Sequence, residues 1–188
     1  MASAASARIR IRTAALELFG RKGVAGTTVQ DLSRRSRCSQ AVLYKYWASK
    51  EGLAEELFQE SYGRLIDWVR EGMERWREPS ERVIGGLLGF LRFARMHPHE
   101  HAMLFQVFHS DYARWLTGRP KPRDLLVEEI SSGMKSGALP EGDPGLKAAM
   151  LLGMTIRIAL FERQNLIGEN AEQVDEELAL AAAAVLGV

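Results

Sequence analysis

The sequence contains one cysteine, Cys38, among its 188 residues. A single thiol excludes an internal disulfide framework and a cysteine-based metal cluster within the chain. The sequence also lacks the apolar segment of a secretory signal and any uninterrupted apolar run of about 20 residues, the length that a membrane span needs. Its most apolar stretch, residues 148–161, is interrupted by Arg157. We therefore expect a protein of the reducing cytoplasm that has no membrane partner.

Strand signals and catalytic motifs are missing as well. No segment shows the sustained two-residue alternation of a half-buried strand. The sequence contains no glycine-rich phosphate loop, no nucleophile paired with a base and no convincing pair of carboxylates. These absences predict an all-α protein that is not an enzyme and uses no cofactor.

Charge is divided unequally along the chain, although its net value is only +1. Residues 1–50 contain ten lysines and arginines and two acids, a net charge of +8, so the remaining residues carry −7. A small basic segment on an acidic body indicates that one end of the molecule meets a polyanion.

Helical periodicity, capping residues and Pro or Gly breaks predict about nine helices. Their expected ranges are 5–22, 29–36, 40–47, 50–76, 80–96, 98–116, 121–136, 144–167 and 171–186. The second and third are short and follow a longer one, which is the order of elements in a helix-turn-helix.

The third helix, 40–47, has the composition of a recognition helix. Gln40 can pair with base edges, and the small Ala41 allows close approach and contact with a thymine methyl group. Leu43 and Trp47 share the opposite face and anchor the helix from behind. The side chains expected to reach phosphates are Tyr44, Lys45, Tyr46 and Lys50.

Several segments in this region, "AALELF", "TTVQDL", "LYKYW" and "SKEGL", resemble in order the DNA-binding segment of the TetR family of regulators. The resemblance implies a helix-turn-helix domain at 1–50 and a helical domain at 51–188 that binds a small molecule and dimerises through its last two long helices. It also implies that DNA is met by Thr28, Cys38, Ser39, Gln40, Ala41, Tyr44, Lys45, Tyr46 and Lys50.

The sequence departs from the family pattern at three positions. Gln40-Ala41 replaces a frequent Lys-Gly pair, so the base preference is expected to be the chain's own. Cys38 stands where valine is common, and a small apolar contact is favoured there over a redox switch. Arg37 stands where glycine is usual, and a positive φ would cost about 1 kcal/mol. A phosphate contact or simple solvent exposure could explain the arginine.

The acidic body is rich in aromatic and methionine side chains at helical spacing, which is typical of a core and also of an adaptable apolar cavity. Gly85, Gly86 and Gly89 in one helix indicate either close helix packing or room for a ligand. The predicted lining of the ligand site comprises Trp68, Trp76, Phe90, Phe93, Met103, Phe108, Met150 and Met154.

The four histidines, His97, His99, His101 and His109, lie close together in the sequence. Metal binding needs converging imidazoles, but Pro98 breaks the helical register and no cysteine supports the cluster. We therefore expect no metal site, with a solvated helix start as the interpretation of these residues.

Each of the last two helices is apolar on more than one face, and every apolar face has to be buried against something. A second copy of the chain is the economical partner, and an internal core is the alternative. Arg157 is then expected to be partly buried beside a carboxylate, Glu162 or an acid of the last helix.

These features together predict a ligand-released transcriptional repressor that binds a pseudo-palindromic operator as a homodimer. The alternative is a protein-interaction module whose helix-turn-helix no longer binds DNA, and the retained positive charge argues against it.

Overall fold

The computed structural model describes residues 4–105, 115–167 and 170–188. Within these ranges the regular structure is entirely α-helical and forms nine helices, which confirms the predicted fold class. They are α1 (Ala4–Lys22), α2 (Val29–Ser36), α3 (Gln40–Tyr46), α4 (Lys50–Glu74), α5 (Pro79–Met96), α6 (Pro98–Phe105), α7 (Pro122–Lys135), α8 (Pro144–Arg163) and α9 (Ala171–Leu186). Residues Phe108 and His109, and the end of the helix predicted at 98–116, lie outside the described residues.

Most helix boundaries follow the local chemistry that predicted them. Gly23 ends α1 with φ 76°, and its N–H donates to the carbonyl of Phe19 at 2.9 Å. The exception is α8, which ends at Arg163 and not at 167. Asn165 adopts φ 54°, and the N–H of Leu166 donates to the carbonyl of Phe161 at 2.9 Å. This left-handed asparagine and six-to-one bond form a Schellman end, so the prediction was four residues too long.

The chain packs as two compact units, each built from two stretches of sequence. The first unit comprises Met1–Gly63 and His97–Gly118, and the second comprises Arg64–Met96 and Arg119–Val188. The packing boundary therefore falls inside α4, and α6 belongs with the N-terminal helices. The functional division at residue 50 stays a prediction.

In the first unit α1 packs against α2, α3 and α6. Its apolar face is fully buried, with Ile11, Ala15 and Phe19 at 0% exposure. A Cβ on Gly20 would lie 2.9 Å from the carbonyl oxygen of His99, so α1 and α6 approach each other through backbone atoms. The helix-turn-helix is thereby held on a scaffold that includes a later part of the chain.

In the second unit α5 packs against α7, α8 and α9. It also meets the end of α4 through glycines. A Cβ on Gly85 would lie 2.3 Å from the carbonyl oxygen of Gly72, and one on Gly89 would lie 2.3 Å from that of Trp68. Of the two explanations left open by the sequence, close helix packing is the one that applies to Gly85 and Gly89.

One ion-pair cluster joins three helices of the second unit. Arg95 at the end of α5 donates to both carboxylate oxygens of Glu162 on α8, at 2.7–3.1 Å, and to Asp175 on α9 at 2.8 Å. Partial burial lowers the pKa of the Arg95 guanidinium, but its bonds to Glu162 and Asp175 outweigh this, and the pKa lies above its ordinary value. The cluster fixes the C-terminal ends of α5 and α8 to the start of α9.

Among the described residues, α8 is long and apolar enough to cross a membrane by length and composition alone. The core helix of a soluble protein passes the same test. In this structure one face of α8, with Ala148, Leu151, Thr155 and Ala159, is buried in the second unit.

Candidate nucleic-acid interface

The short helix α3 presents one face to solvent and one to the core. Ser39 caps its first turn by accepting a hydrogen bond from the N–H of Val42 at 3.3 Å. Leu43 is 1% exposed and Trp47, which ends the helix, is 5% exposed. The outer face carries the exposed residues Gln40, Ala41, Tyr44 and Lys45. Six of the nine predicted DNA-contacting residues, these four with Thr28 and Ser39, are solvent-exposed, and their contacts with DNA stay predictions.

A hydrogen-bonded network holds the end of α3. The indole N–H of Trp47 donates to Glu56 Oε2 on α4 at 2.9 Å. Two arginines of α1 pair with the same carboxylate, Arg8 at 3.0 Å and Arg12 more closely. Partial burial raises the pKa of Glu56, but the bonds from Trp47 and Arg8 outweigh it and leave the pKa below its ordinary value. The carboxylate is therefore ionised at neutral pH and connects α1, α3 and α4.

Thr28 and Asp31 form a reciprocal capping box at the start of α2. The hydroxyl of Thr28 accepts from the N–H of Asp31 at 3.1 Å, and the carboxylate of Asp31 accepts from the N–H of Thr28 at 3.0 Å. Lys22 Nζ lies 2.7 Å from the same carboxylate. Bonds from Lys22 first and Thr28 second hold the pKa of Asp31 far below its ordinary value. The T-x-x-D pattern could have revealed this role of Asp31, which the sequence reasoning missed.

Three of the predicted DNA-contacting residues have other surroundings. Cys38 is 8% exposed, and its Sγ accepts a hydrogen bond from Arg10 at 3.2 Å. Lys50 Nζ donates to the carbonyls of Val24 at 2.7 Å and Thr27 at 2.8 Å. Tyr46 is half-buried, with its ring 5.6 Å from that of Trp47. The burial of Cys38 fits the apolar contact that the sequence favoured, whereas the backbone bonds of Lys50 were not expected from its residue type. Contacts of these three residues with DNA stay predictions.

Arg37 adopts the left-handed conformation that the sequence reasoning considered, with φ 55° and ψ 37° at the end of α2. Its N–H donates to the carbonyl of Ser33, so the turn into α3 is closed in the way a glycine would close it. A side chain other than glycine in this region costs about 1 kcal/mol.

The described members of the predicted ligand lining belong to both packing units and differ in exposure. Met103 is fully buried in the first unit, whereas the other described members belong to the second. Phe90 and Phe93 are buried, but Trp76 is 46% and Met150 49% exposed. Phe108 lies outside the described residues. The ligand site stays a prediction.

Of the predicted ligand residues, Met154 borders an open apolar groove of about 610 Å³ between α8 and α9. Arg157 and Glu177 lie at this groove. Arg157 is exposed and stacks over Phe161, 5.5 Å from the ring centre. Glu162 is held by Arg95 in this chain. The expectation that Arg157 is partly buried beside Glu162 or an acid of the last helix concerns the dimer and stays a prediction.

The histidines also separate. His101 is 2% exposed and packs on Phe105, whereas His99 is exposed and His97 Nδ1 lies 3.5 Å from Glu100. In the described part of the chain no three His, Cys, Asp or Glu residues form a group that could hold a metal ion.

Comparison with known proteins places the chain beside transcription regulators. The model for bacterial regulatory proteins of the tetR family matches residues 11–57, the helix-turn-helix and the start of α4. The HTH-type transcriptional repressor KstR2 of Mycobacterium tuberculosis is 25% identical over 137 residues, which cover 65% of this chain and 64% of the repressor. The chain thus aligns with less than two thirds of that relative.

Solved structures share the whole fold. The regulator PfmR of Thermus thermophilus superposes with a TM-score of 0.77 at 20% identity, covering 95% of each chain. KstR2 of M. tuberculosis, described as a ketosteroid transcriptional regulator, superposes with a TM-score of 0.76 at 23% identity, covering 96% of this chain and 93% of that one.

Proposed function

We propose that this chain, which belongs to the tetR family of bacterial regulatory proteins, represses transcription by binding a specific operator. The observation that carries the proposal is the exposed polar face of α3 inside the segment matched by the family model. A short capped helix with a free polar face is suited to enter the major groove of DNA.

Each exposed residue of α3 receives a role from its chemistry. Gln40, in the first turn, pairs with an adenine edge, and Ala41 lets the helix approach a thymine methyl group. Tyr44 and Lys45, one turn later, contact phosphates, as does the hydroxyl of Thr28. We give Cys38 and Lys50 no direct contact with DNA in this proposal, since Cys38 is bonded to Arg10 and Lys50 to the carbonyls of Val24 and Thr27.

A homodimer places two such helices on one operator. The groove between α8 and α9 is mainly apolar. Met150 on α8 and Leu180 on α9 are further apolar side chains that these two helices expose. A second copy of the chain can bury the exposed apolar surface of these two consecutive helices. Two copies read half-sites about 34 Å apart on a pseudo-palindromic operator.

Release from the operator is proposed to follow the binding of a small apolar or amphipathic molecule by the second unit, in the cytoplasm. The description of KstR2 as a ketosteroid transcriptional regulator supports an apolar class of effector. A ligand shifts the equilibrium between two forms only if it binds them unequally. The effector must therefore prefer the form that binds the operator poorly.

The DNA-binding part of the proposal is tested by titrating the purified protein on DNA from upstream of its own gene at several salt concentrations. Phosphate contacts predict that log K falls linearly with log salt concentration. The double variant Tyr44→Ala/Lys45→Ala should lose specific binding and keep the wild-type oligomeric state. Equal binding by wild type and variant would contradict the assignment of α3 as the reading helix.

The effector part is tested on the wild-type complex with DNA. A ketosteroid and a long-chain fatty acid are added separately, and the fraction of bound DNA is measured. Concentration-dependent release by either compound, with no effect of a small polar sugar, is the expected result. Failure of every apolar compound in a wider series would contradict the proposed effector class.

A further inference from the structure

Arg37 occupies a backbone conformation that its side chain does not favour. Among the described residues only Arg37 and Asn165 have a positive φ without being glycine. Asparagine tolerates this region because its short side chain bonds locally, whereas arginine has no such advantage. An unfavourable conformation that persists at an exposed turn points to a use for the side chain.

Arg37 borders a cavity of about 300 Å³ in the first unit together with Arg10 on α1. Arg35 and Glu17 also line it. Arg35 is neutralised by Glu17, since their charged groups lie 2.5 Å apart. The positive charges of the other two arginines of the cavity, Arg10 and Arg37, are left unbalanced.

The two remaining arginines have no acidic partner in the described part of the chain. Arg10 donates to the thiol of Cys38 at 3.2 Å, a contact that leaves its positive charge uncompensated. Arg37 is exposed, and it bonds the carbonyl of Ser33 through its backbone N–H. Thr13 and Ser36 add hydroxyl groups to the cavity lining. Two guanidinium groups with uncompensated charge, and hydroxyls beside them, match the charge and the hydrogen-bonding needs of a phosphate.

The position of the pair relates it to α3. Arg37 and Cys38 directly precede Ser39, the residue that caps the N-terminal end of α3. Arg10 reaches the same turn from α1 through Cys38. A phosphate held here would lie beside the end of the helix that carries Gln40 and Ala41.

We propose that Arg37 and Arg10 bind one phosphodiester of the operator backbone beside the N-terminal end of α3. This inference rests on the proposed DNA-binding function. The contact would fix the position of α3 along the groove without reading a base. The pair would add a contact with the DNA backbone to the contacts made by α3. It would also explain why an arginine stands at a turn that suits glycine.

The test compares Arg37→Gly with the wild type in operator binding over a range of salt concentrations. Glycine suits the turn, so Arg37→Gly should fold with an unchanged or higher midpoint of thermal unfolding. Its affinity for the operator should fall on the order of tenfold near 0.1 M salt. The slope of log K against log salt concentration should become shallower by about 0.9, the value for one phosphate.

Arg21→Gln is the matched control, because Arg21 is exposed on the last turn of α1 and does not line the cavity. It removes the same charge and should leave the slope nearly unchanged. Arg37→Lys keeps a cation at the turn and should retain most of the slope, and Arg10→Gln should resemble Arg37→Gly.

The outcomes separate the two levels of the proposal. If the wild type binds its operator and Arg37→Gly behaves like Arg21→Gln, the phosphate contact is overturned while the DNA-binding function stands. If the wild type shows no salt-dependent binding to any upstream segment, both are overturned.

Discussion

At the scale of single residues, Gln40 is the side chain of α3 best suited to choose a base. It is exposed in the first turn, and its amide can both donate to and accept from adenine. Gln40→Ala should weaken operator binding and relax discrimination at one base position in each half-site, by about 1–3 kcal/mol. Binding to operators substituted at each position measures this. Uniform weakening across all positions would instead indicate that Gln40 contacts the DNA backbone and not a base.

Asp31 gives the first unit a specific acid sensitivity. Its pKa is depressed by Lys22 and the capping contacts with Thr28. A carboxylate with a folded pKa below its unfolded value of about 3.9 stabilises the protein above that value. The contribution is lost as the pH falls below about 4, toward the folded pKa.

We therefore expect the wild type to lose stability from about pH 4 downward more steeply than Asp31→Asn. Denaturant unfolding at pH 7 and at several values below 4 measures the difference. At pH 7 the variant should be the less stable protein, and the two should converge in acid. A constant difference at all pH values would show that the charge of Asp31 does not contribute.

At the scale of elements, the crossing of α4 and α5 depends on missing side chains. A Cβ on Gly85 would lie 2.3 Å from the carbonyl oxygen of Gly72, a backbone atom that cannot turn away. Gly85→Ala should therefore destabilise the protein by about 2 kcal/mol or more, as overpacked sites do.

Gly63 on α4 is the matched control for Gly85. A Cβ there would meet nothing within 4 Å, so the substitution adds a methyl group to open space. Gly63→Ala should stabilise the protein by about 0.5–1 kcal/mol, the usual gain from removing a glycine from a helix interior. Unfolding by denaturant measures both variants. Similar changes of either sign would contradict the close-packing explanation.

Local chemistry explains which elements could be predicted from the sequence. The starts of α2 and α3 follow from Thr28 and Ser39, and the starts of α7 and α8 from prolines, because caps and breaks act within a few residues. The end of α8 was missed because Asn165 took the left-handed position that glycine usually fills.

Contacts between distant residues explain what the sequence could not reveal. Lys50 bonds the carbonyls of Val24 and Thr27, 26 and 23 residues away, so its ammonium group is engaged with the protein backbone in a way that its residue type does not indicate. The role of Gly85 likewise depends on its contact with α4, and the sequence of α5 alone does not indicate that contact. The exposed face of α3 could be predicted because helical spacing alone decides which of its residues face the core.

At the scale of the whole molecule, we expect operator binding to depend on two copies of the chain. Leu180 on α9 is 68% exposed, a high value for a leucine in the middle of a helix beside an apolar groove. In a two-fold interface each substitution occurs twice, so Leu180→Glu introduces two charges into apolar contact. We expect this variant to sediment as a monomer of 21.0 kDa where the wild type is a dimer.

The same variant should bind the operator far more weakly, because a monomer loses the gain of engaging two half-sites at once. Met96→Glu is the matched control: Met96 is also 68% exposed in the second unit but lies at the end of α5. It should remain dimeric and bind DNA normally. Analytical ultracentrifugation and operator titration of the three proteins give both readouts. If Leu180→Glu remained dimeric, the dimer interface would not include Leu180 of α9. If the variant were monomeric and kept wild-type affinity, one copy would suffice for recognition.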